Sequence, residues 1–270
     1  MSTIYEYRGI RGLVAAEVTA DDSSNYTTGT PFAIAGTAKL VRTTEQSSET
    51  HYYDNAPAIV IQGEGADTVT IDVSALPLDI VAKLTGQVYD SNLGAMFEGD
   101  HTPKYFAIGY ITSDTNGKDV YVWRLKGRFN TPDEEHNTID NSASANGQQL
   151  IFTGIQTVKA FTKSGNRGAK AVCVELAKDL CNVSSFFSSV QTPDSLVAKT
   201  AYTLTITQDA GTTLTVKRNG VTLSGSDPIY VGDQLQITVT GGTVTVNTVA
   251  FTSGDIHVVS GNTAVVSTAS

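Results

Sequence analysis

The amino-acid sequence predicts a mostly β protein in two parts, and three observations carry that prediction. Several stretches alternate apolar and polar residues between turn signals, the period of a half-buried strand. From Lys199 to Ser270 the chain holds sixteen threonines with many valines and glycines and few charges, a composition suited to a pleated surface. The clearest helical period is confined to one segment, Ala75 to Val88.

Taken in order, Gly12 to Val18 reads as a strand, Ala20 to Pro31 as a loop and Phe32 to Val41 as a strand. Arg42 to Pro57, RTTEQSSETHYYDNAP, has neither a strand nor a helix period and reads as a long polar loop. Loops of that length inside compact domains are uncommon and serve as contact devices or stay disordered. We expect an arm that orders between subunits, with Glu49, Tyr52, Tyr53, Asp54 and Asn55 as contacts. Ala58 to Gln62 and Asp67 to Val73 then flank a GEGA turn, with Val69, Ile71 and Val73 on one face of the expected hairpin. In the helix, Leu76, Ile80, Leu84 and Val88 recur at a spacing of four, behind Ser74 as N-cap and Pro77 in the first turn. Gly86 is expected to weaken its last turn.

A second hairpin joins Lys104–Thr112 to Val120–Phe129 around Asn116-Gly117. Alternation puts Trp123, Leu125 and Phe129 on one face and Arg124, Lys126 and Arg128 on the other. That basic face reads as solvated, or else as meeting carboxylates of another subunit. Asn130 to Gln148 forms a second polar arm containing Asp133, Glu134 and Glu135, also read as subunit contacts. Gln149 to Thr162 reads as a strand, and Ala169 to Ser189 as a helix with Val172, Leu176 and Leu180 spaced by four. The domains expected are 1–192, a linker 193–200, and a small all-β module 201–270. A sandwich of about seventy residues is near the lower limit for independent folding.

Charge and motifs exclude several functions. The net charge is -9 and the pI near 4.8, which disfavours gripping phosphates. Cys173 and Cys181 would lie about 12 Å apart on a helix, too far for a disulfide. The amino-terminal residues hold no apolar run of signal length, and no stretch approaches a membrane span. We therefore expect a soluble chain without a cleaved signal and without membrane insertion. The four histidines show no ligand spacing, and no nucleotide-binding or hydrolase motif occurs. Asp133, Glu134 and Glu135 are adjacent acids that repel one another rather than divide acid and base roles. Asp21 and Asp22 lack the spacing of a calcium loop. No catalytic, cofactor-binding or metal residue is assigned, and no cofactor is expected.

Five stretches in order carry a family resemblance: TTGTPFAIAGTAKL at Thr27–Leu40, ETHYYDN at Glu49–Asn55, ALPLDIVAKLTG at Ala75–Gly86, KYFAIGYI at Lys104–Ile111, and TPDEEHNTIDNSASANGQQLIFTGI at Thr131–Ile155. Together they resemble the major tail protein, or tail tube protein, of phages with long non-contractile tails. The resemblance implies a β-sandwich or barrel-like core with a flanking helix, and a subunit forming hexameric rings stacked into a tube. It further implies that the arms bridge subunits. The partners would be the tape measure protein, the tail tip and tail terminator proteins, and DNA passing without specific binding. Such a subunit resides in the virion tail and is assembled in the host cytoplasm. The module after about Pro193 departs from the minimal pattern and resembles small immunoglobulin-like modules that decorate virions.

A competing expectation is a bacterial or phage surface adhesion protein whose C-terminal module binds a host ligand; the absent signal segment counts against its secreted form. An enzyme on a β scaffold is a third class, for which no constellation of residues is present.

Overall fold

The computed structural model describes residues 6–133 and 147–269. Contacts divide the chain into two compact units, Met1–Leu196 and Val197–Ser270. Both are mostly β, as the composition predicts, and among the described residues no helix is long and apolar enough to cross a membrane.

The first unit contains β1 (Tyr7–Asp21), β2 (Tyr26–Thr28), β3 (Phe32–Ala33), β4 (Thr37–Tyr53), β5 (Ala56–Val73), the helix α1 (Leu78–Thr85), β6 (Val88–Asp90), β7 (Ala95–Phe97), β8 (Phe106–Asp114), β9 (Asp119–Phe129), β10 (Gln148–Gly154) and β11 (Ala171–Glu175). Nine of these strands form one antiparallel sheet in the order β2-β1-β8-β9-β10-β5-β4, with β3 also on β1 and β11 also on β9. The sheet does not close into a barrel. Strands β6 and β7 pair separately.

Both faces of the sheet are covered. On one side Leu13, Ile71, Phe106, Ile108, Leu150 and Phe152 pack with Val81 and Leu84 of α1. On the other, Ala16, Ala107, Trp123, Leu125, Val172 and Val174 pack with Phe161, Phe186 and Val190. Strand β8 shows the reason: successive side chains alternate sides, so Phe106 and Ile108 enter one core while Ala107 enters the other. A strand covered on both faces reads as a continuous apolar run, as FAIGYI does.

Strand β9 departs from the simple alternation expected of it. Phe106 pairs with Gly127 and Ile108 with Arg124, so three residues of β9 span two of β8. This bulge reverses the sidedness beyond it. Phe129 therefore joins the helix-side core instead of following Trp123 and Leu125. Just past the bulge, β9 receives β10, and a Cβ on Gly127 would collide with the Phe152 ring and the Thr153 carbonyl. We expect Gly127→Ala to destabilise the unit by about 1–3 kcal/mol. Denaturant unfolding followed by the fluorescence of Trp123, the single tryptophan and fully buried here, measures this directly.

Several local expectations are corrected. Arg42–Pro57 is not a loop, and GEGA is not a turn: β4 and β5 run as one long hairpin through both stretches, reversing at Asp54-Asn55. The run Phe32–Val41 is broken at Ile34–Gly36 between β3 and β4, while the loop after Ala20 contains β2. The helix is shorter than Ala75–Val88. Pro77, in extended conformation, precedes it where Ser74 was expected to cap, and Gly86 ends it in the left-handed region at φ 83°. Gly86 is thus a stop signal rather than a weak turn, since it supplies the positive φ that closes a helix. The strand after Gln148 ends at Gly154, short of Thr162.

Residues 169–189 form no long helix. Residues 171–175 are β11, where Val172 and Val174 are buried against β9, a period of two that the spacing of Val172, Leu176 and Leu180 disguises. Only a single 3-10 turn follows at Leu176–Lys178, and Leu180 is exposed. The later residues fold as turns over Trp123, whose indole Nε1 donates to the Phe186 carbonyl at 2.9 Å. Cys173 therefore sits on a strand and Cys181 beyond a turn, without the helical separation expected.

In the second unit the strands are β12 (Ala201–Thr207), β13 (Thr213–Arg218), β14 (Val221–Thr222), β15 (Pro228–Tyr230), β16 (Gln234–Thr240), β17 (Gly242–Val246), β18 (Val249–Phe251), β19 (Ile256–Val258) and β20 (Thr263–Ala269). They form a five-stranded sheet, β15-β12-β20-β17-β18, and a four-stranded sheet, β14-β13-β16-β19. Leu204, Val216, Ile229, Leu235, Ile237, Val244 and Val265 fill one core between them. Strand β16 is buried at every second residue, as its Thr/Gln/apolar alternation requires. Strands β17 and β18 join at a turn at Asn247-Thr248, both with positive φ.

Candidate assembly interface

The longest hairpin has two regions with different physics. Near its foot, β5 buries Asp67, Val69, Ile71 and Val73 and is flanked by β10 and β4. Beyond that foot, residues 45–65 are all exposed except for the intermediate His51. The junction is a bulge: Thr44 pairs with Asp67 but Gln46 with Glu64, so β5 carries an extra residue where the ribbon leaves the sheet. From there nine residues of β4 reach Tyr53, a projection of about 30 Å at about 3.4 Å per residue.

The tip forms because Asp54 and Asn55 both take positive φ, 52° and 61°, the geometry of a two-residue hairpin turn. Pro57 is tolerated in β5 because the strand there has a neighbour on one side only. Tyr52, Tyr53, Ile59, Val60 and Ile61 are all exposed on this ribbon, each at 49% or more. A two-stranded ribbon with no covered face is marginal in water. Its apolar residues have nothing within the chain to cover them among the described residues.

At the foot lies a buried charge cluster. Asp67, 2% exposed, accepts from Arg124 Nη1 at 2.8 Å and from Thr44 Oγ1 at 3.0 Å, with Arg42 and Lys170 each at 3.5 Å. Burial alone would push the Asp67 carboxyl up, but the Thr44 hydroxyl and the three cations overcome it and hold the group below its ordinary 3.8. A second cluster pins the end of β1. Asp21 accepts from Lys126 Nζ at 2.6 Å and from the Val158 and Lys159 amides, each at 2.9 Å. Here too burial opposes ionisation, and Lys126 with the two amides wins, so the carboxyl lies below 3.8.

Both carboxyls thus bind protons less readily in the folded chain than when unfolded. Their contribution is fully present above about pH 4 and drains away as pH falls through their depressed folded values. We expect the stability reported by Trp123 to be flat from about pH 7 to pH 5 and to fall steeply below about pH 4. Asp67→Asn should flatten that acid limb.

The residues expected as contacts are therefore placed differently from one another. Glu49, Tyr52, Tyr53, Asp54 and Asn55 come together on the exposed outer half of the ribbon. Arg124 and Lys126 are not a solvated face: they are 7% and 8% exposed and meet carboxylates of their own chain, because the sheet is covered on both sides. Arg128 remains exposed and stacks over Tyr105 at 4.1 Å. Asp133 is exposed and bridges to Gln149, while Glu134 and Glu135 lie outside the described residues. Asp21 and Asp67 were missed as partners of the basic face. For Asp67 the signal available was an acid in register with the alternating Val69, Ile71 and Val73.

Residues 21–173 match the family model described as phage tail tube protein. The matched span covers more than half of the 270 residues and contains the ribbon, α1 and both charge clusters. The chain belongs to the phage tail tube protein family. Comparison with curated proteins returns no match. A phage tail tube protein is a structural component of the virion tail, and it assembles with other tail proteins into a tube. The ribbon, uncovered among the described residues of its own subunit, lies within the matched span.

Proposed function

We propose that this tail tube protein forms hexameric rings that stack into the tube of a long non-contractile tail, the conduit for DNA ejection. The observation that carries the proposal is the ribbon: about 30 Å of paired strand with exposed tyrosines and isoleucines gains stability only against another molecule. Glu49, Tyr52, Tyr53, Asp54 and Asn55 are the contacts in this reading, with Arg128 and Asp133 as further candidates on the same unit. The net charge of -9 suits a wall past which phosphates slide without being trapped. The tape measure protein during assembly, and tip and terminator proteins at the two ends, complete the set of partners, all meeting in the host cytoplasm.

The second unit, from Val197 onward, is in this reading an immunoglobulin-like ornament outside the tube. Its support is that the family match ends before it begins. A chain ending at Leu196 is accordingly expected to polymerise as the full chain does, assayed by sedimentation. Electron microscopy of the purified full chain, alone and seeded with tail tips, tests the main proposal. Rings of six and stacked tubes are expected; a protein that stays monomeric at high concentration even when seeded contradicts it.

A further inference from the structure

The foot of the ribbon carries an opening that the tube reading does not use. A cleft of about 750 Å³ lies between β4 and the faces of β1, β8 and β9. Its walls include Tyr7, Leu40 and Val120, and its polar lining includes Arg42, Arg124, Thr112 and Cys173. Tyr7 is 72% exposed, so the mouth is aromatic and open. The cation balance there is uneven. Arg42, Arg124 and Lys170 all face the single buried carboxylate of Asp67, and among the described residues Glu64 pairs with Lys170. Arg42, with a half-exposed side chain and only a 3.5 Å approach to Asp67, is the cation able to offer charge to the cleft.

We propose that this cleft is the receptor for the ribbon tip of a second copy, with Tyr52 and Tyr53 against its apolar walls and the Asp54 carboxylate on the Arg42 side. This rests on the tube-assembly reading and specifies which surfaces meet. Two observations select the tip as occupant. It presents an acid beside two exposed tyrosines, complementary in charge and in polarity to a cationic cleft with an apolar mouth. The chain also cannot satisfy itself. Arg42 and Tyr53 lie on the same strand, eleven residues and roughly 35 Å apart, held straight by pairing with β5. A tip cannot return to the cleft at its own foot. The contact is therefore between copies, and repeated head-to-tail it produces rings or filaments.

Cys173 in the cleft makes the contact measurable. Tyr53→Cys in a Cys181→Ser background, oxidised during assembly, should give a ladder of disulfide-linked oligomers that collapses on reduction and is lost with Cys173→Ser. Normal assemblies without a Cys173-dependent ladder overturn the proposal. Because Tyr53→Cys itself alters the tip, Arg42→Gln provides an independent measurement. The concentration at half-assembly should rise at least about tenfold, measured under conditions where Trp123 fluorescence shows the variant fully folded. An unchanged half-assembly concentration overturns the cleft assignment and leaves the tube reading standing. Wild-type chain that never assembles overturns both.

Discussion

Shortening the ribbon should abolish assembly and leave the subunit folded. Replacing Ser47–Gly63 by Asn-Gly joins Gln46 to Glu64, which already face each other, through a turn suited to a two-residue hairpin. The Asp67 cluster and the Lys170–Glu64 pair remain below the cut. Every residue removed is exposed except His51, so no core contact is lost and the Trp123-reported stability should move by less than about 1 kcal/mol. Assembly, by contrast, loses Tyr52, Tyr53, Ile59, Val60 and Ile61 together, the large apolar side chains that dominate interface energy. Sedimentation should show a monomer at every concentration at which the full chain forms tubes. Tubes formed by the shortened chain would show that the ribbon is dispensable.

Asp67→Ala should strongly destabilise the first unit. It leaves Arg124 buried and without its anion, and removes the common partner of Arg42 and Lys170. Breaking a buried pair by deleting one member costs about 3–5 kcal/mol, far more than the pair contributes relative to a well-packed apolar replacement. Denaturant titration at pH 7 checks the magnitude. A loss below about 1 kcal/mol would mean that water already solvates the cluster. The double change Asp67→Ala with Arg124→Met should recover much of the loss, because it removes the stranded charge as well.

These two regions also show where sequence reasoning worked and where it stopped. The position of the helix α1 follows from periodicity, because it has one face to bury, and the β8–β9 hairpin from its continuous apolar run and the Asn116-Gly117 turn. The ribbon buries neither face, so RTTEQSSETHYY has no pattern to detect and reads as loop. Its turn was visible in principle, since Asp54-Asn55 are residues that tolerate positive φ between two β-prone runs. Gly63 and Gly65 drew the turn to the wrong place. The fate of Arg124 and Lys126 depended on partners 57 and 105 residues distant. Alternation told which side of β9 they occupy, but not that the side is covered. The bulge that turns Phe129 to the opposite face leaves no local sign, because it is set by pairing with β8.

The most direct test of the account is an electron cryo-microscopy reconstruction of the assembled tube, traced around residues 45–65. The expected map shows this ribbon lying against another copy, with Tyr52, Tyr53 and Asp54 covered and the isoleucines of β5 withdrawn from solvent. A map in which the ribbon projects free of every neighbouring subunit would contradict it.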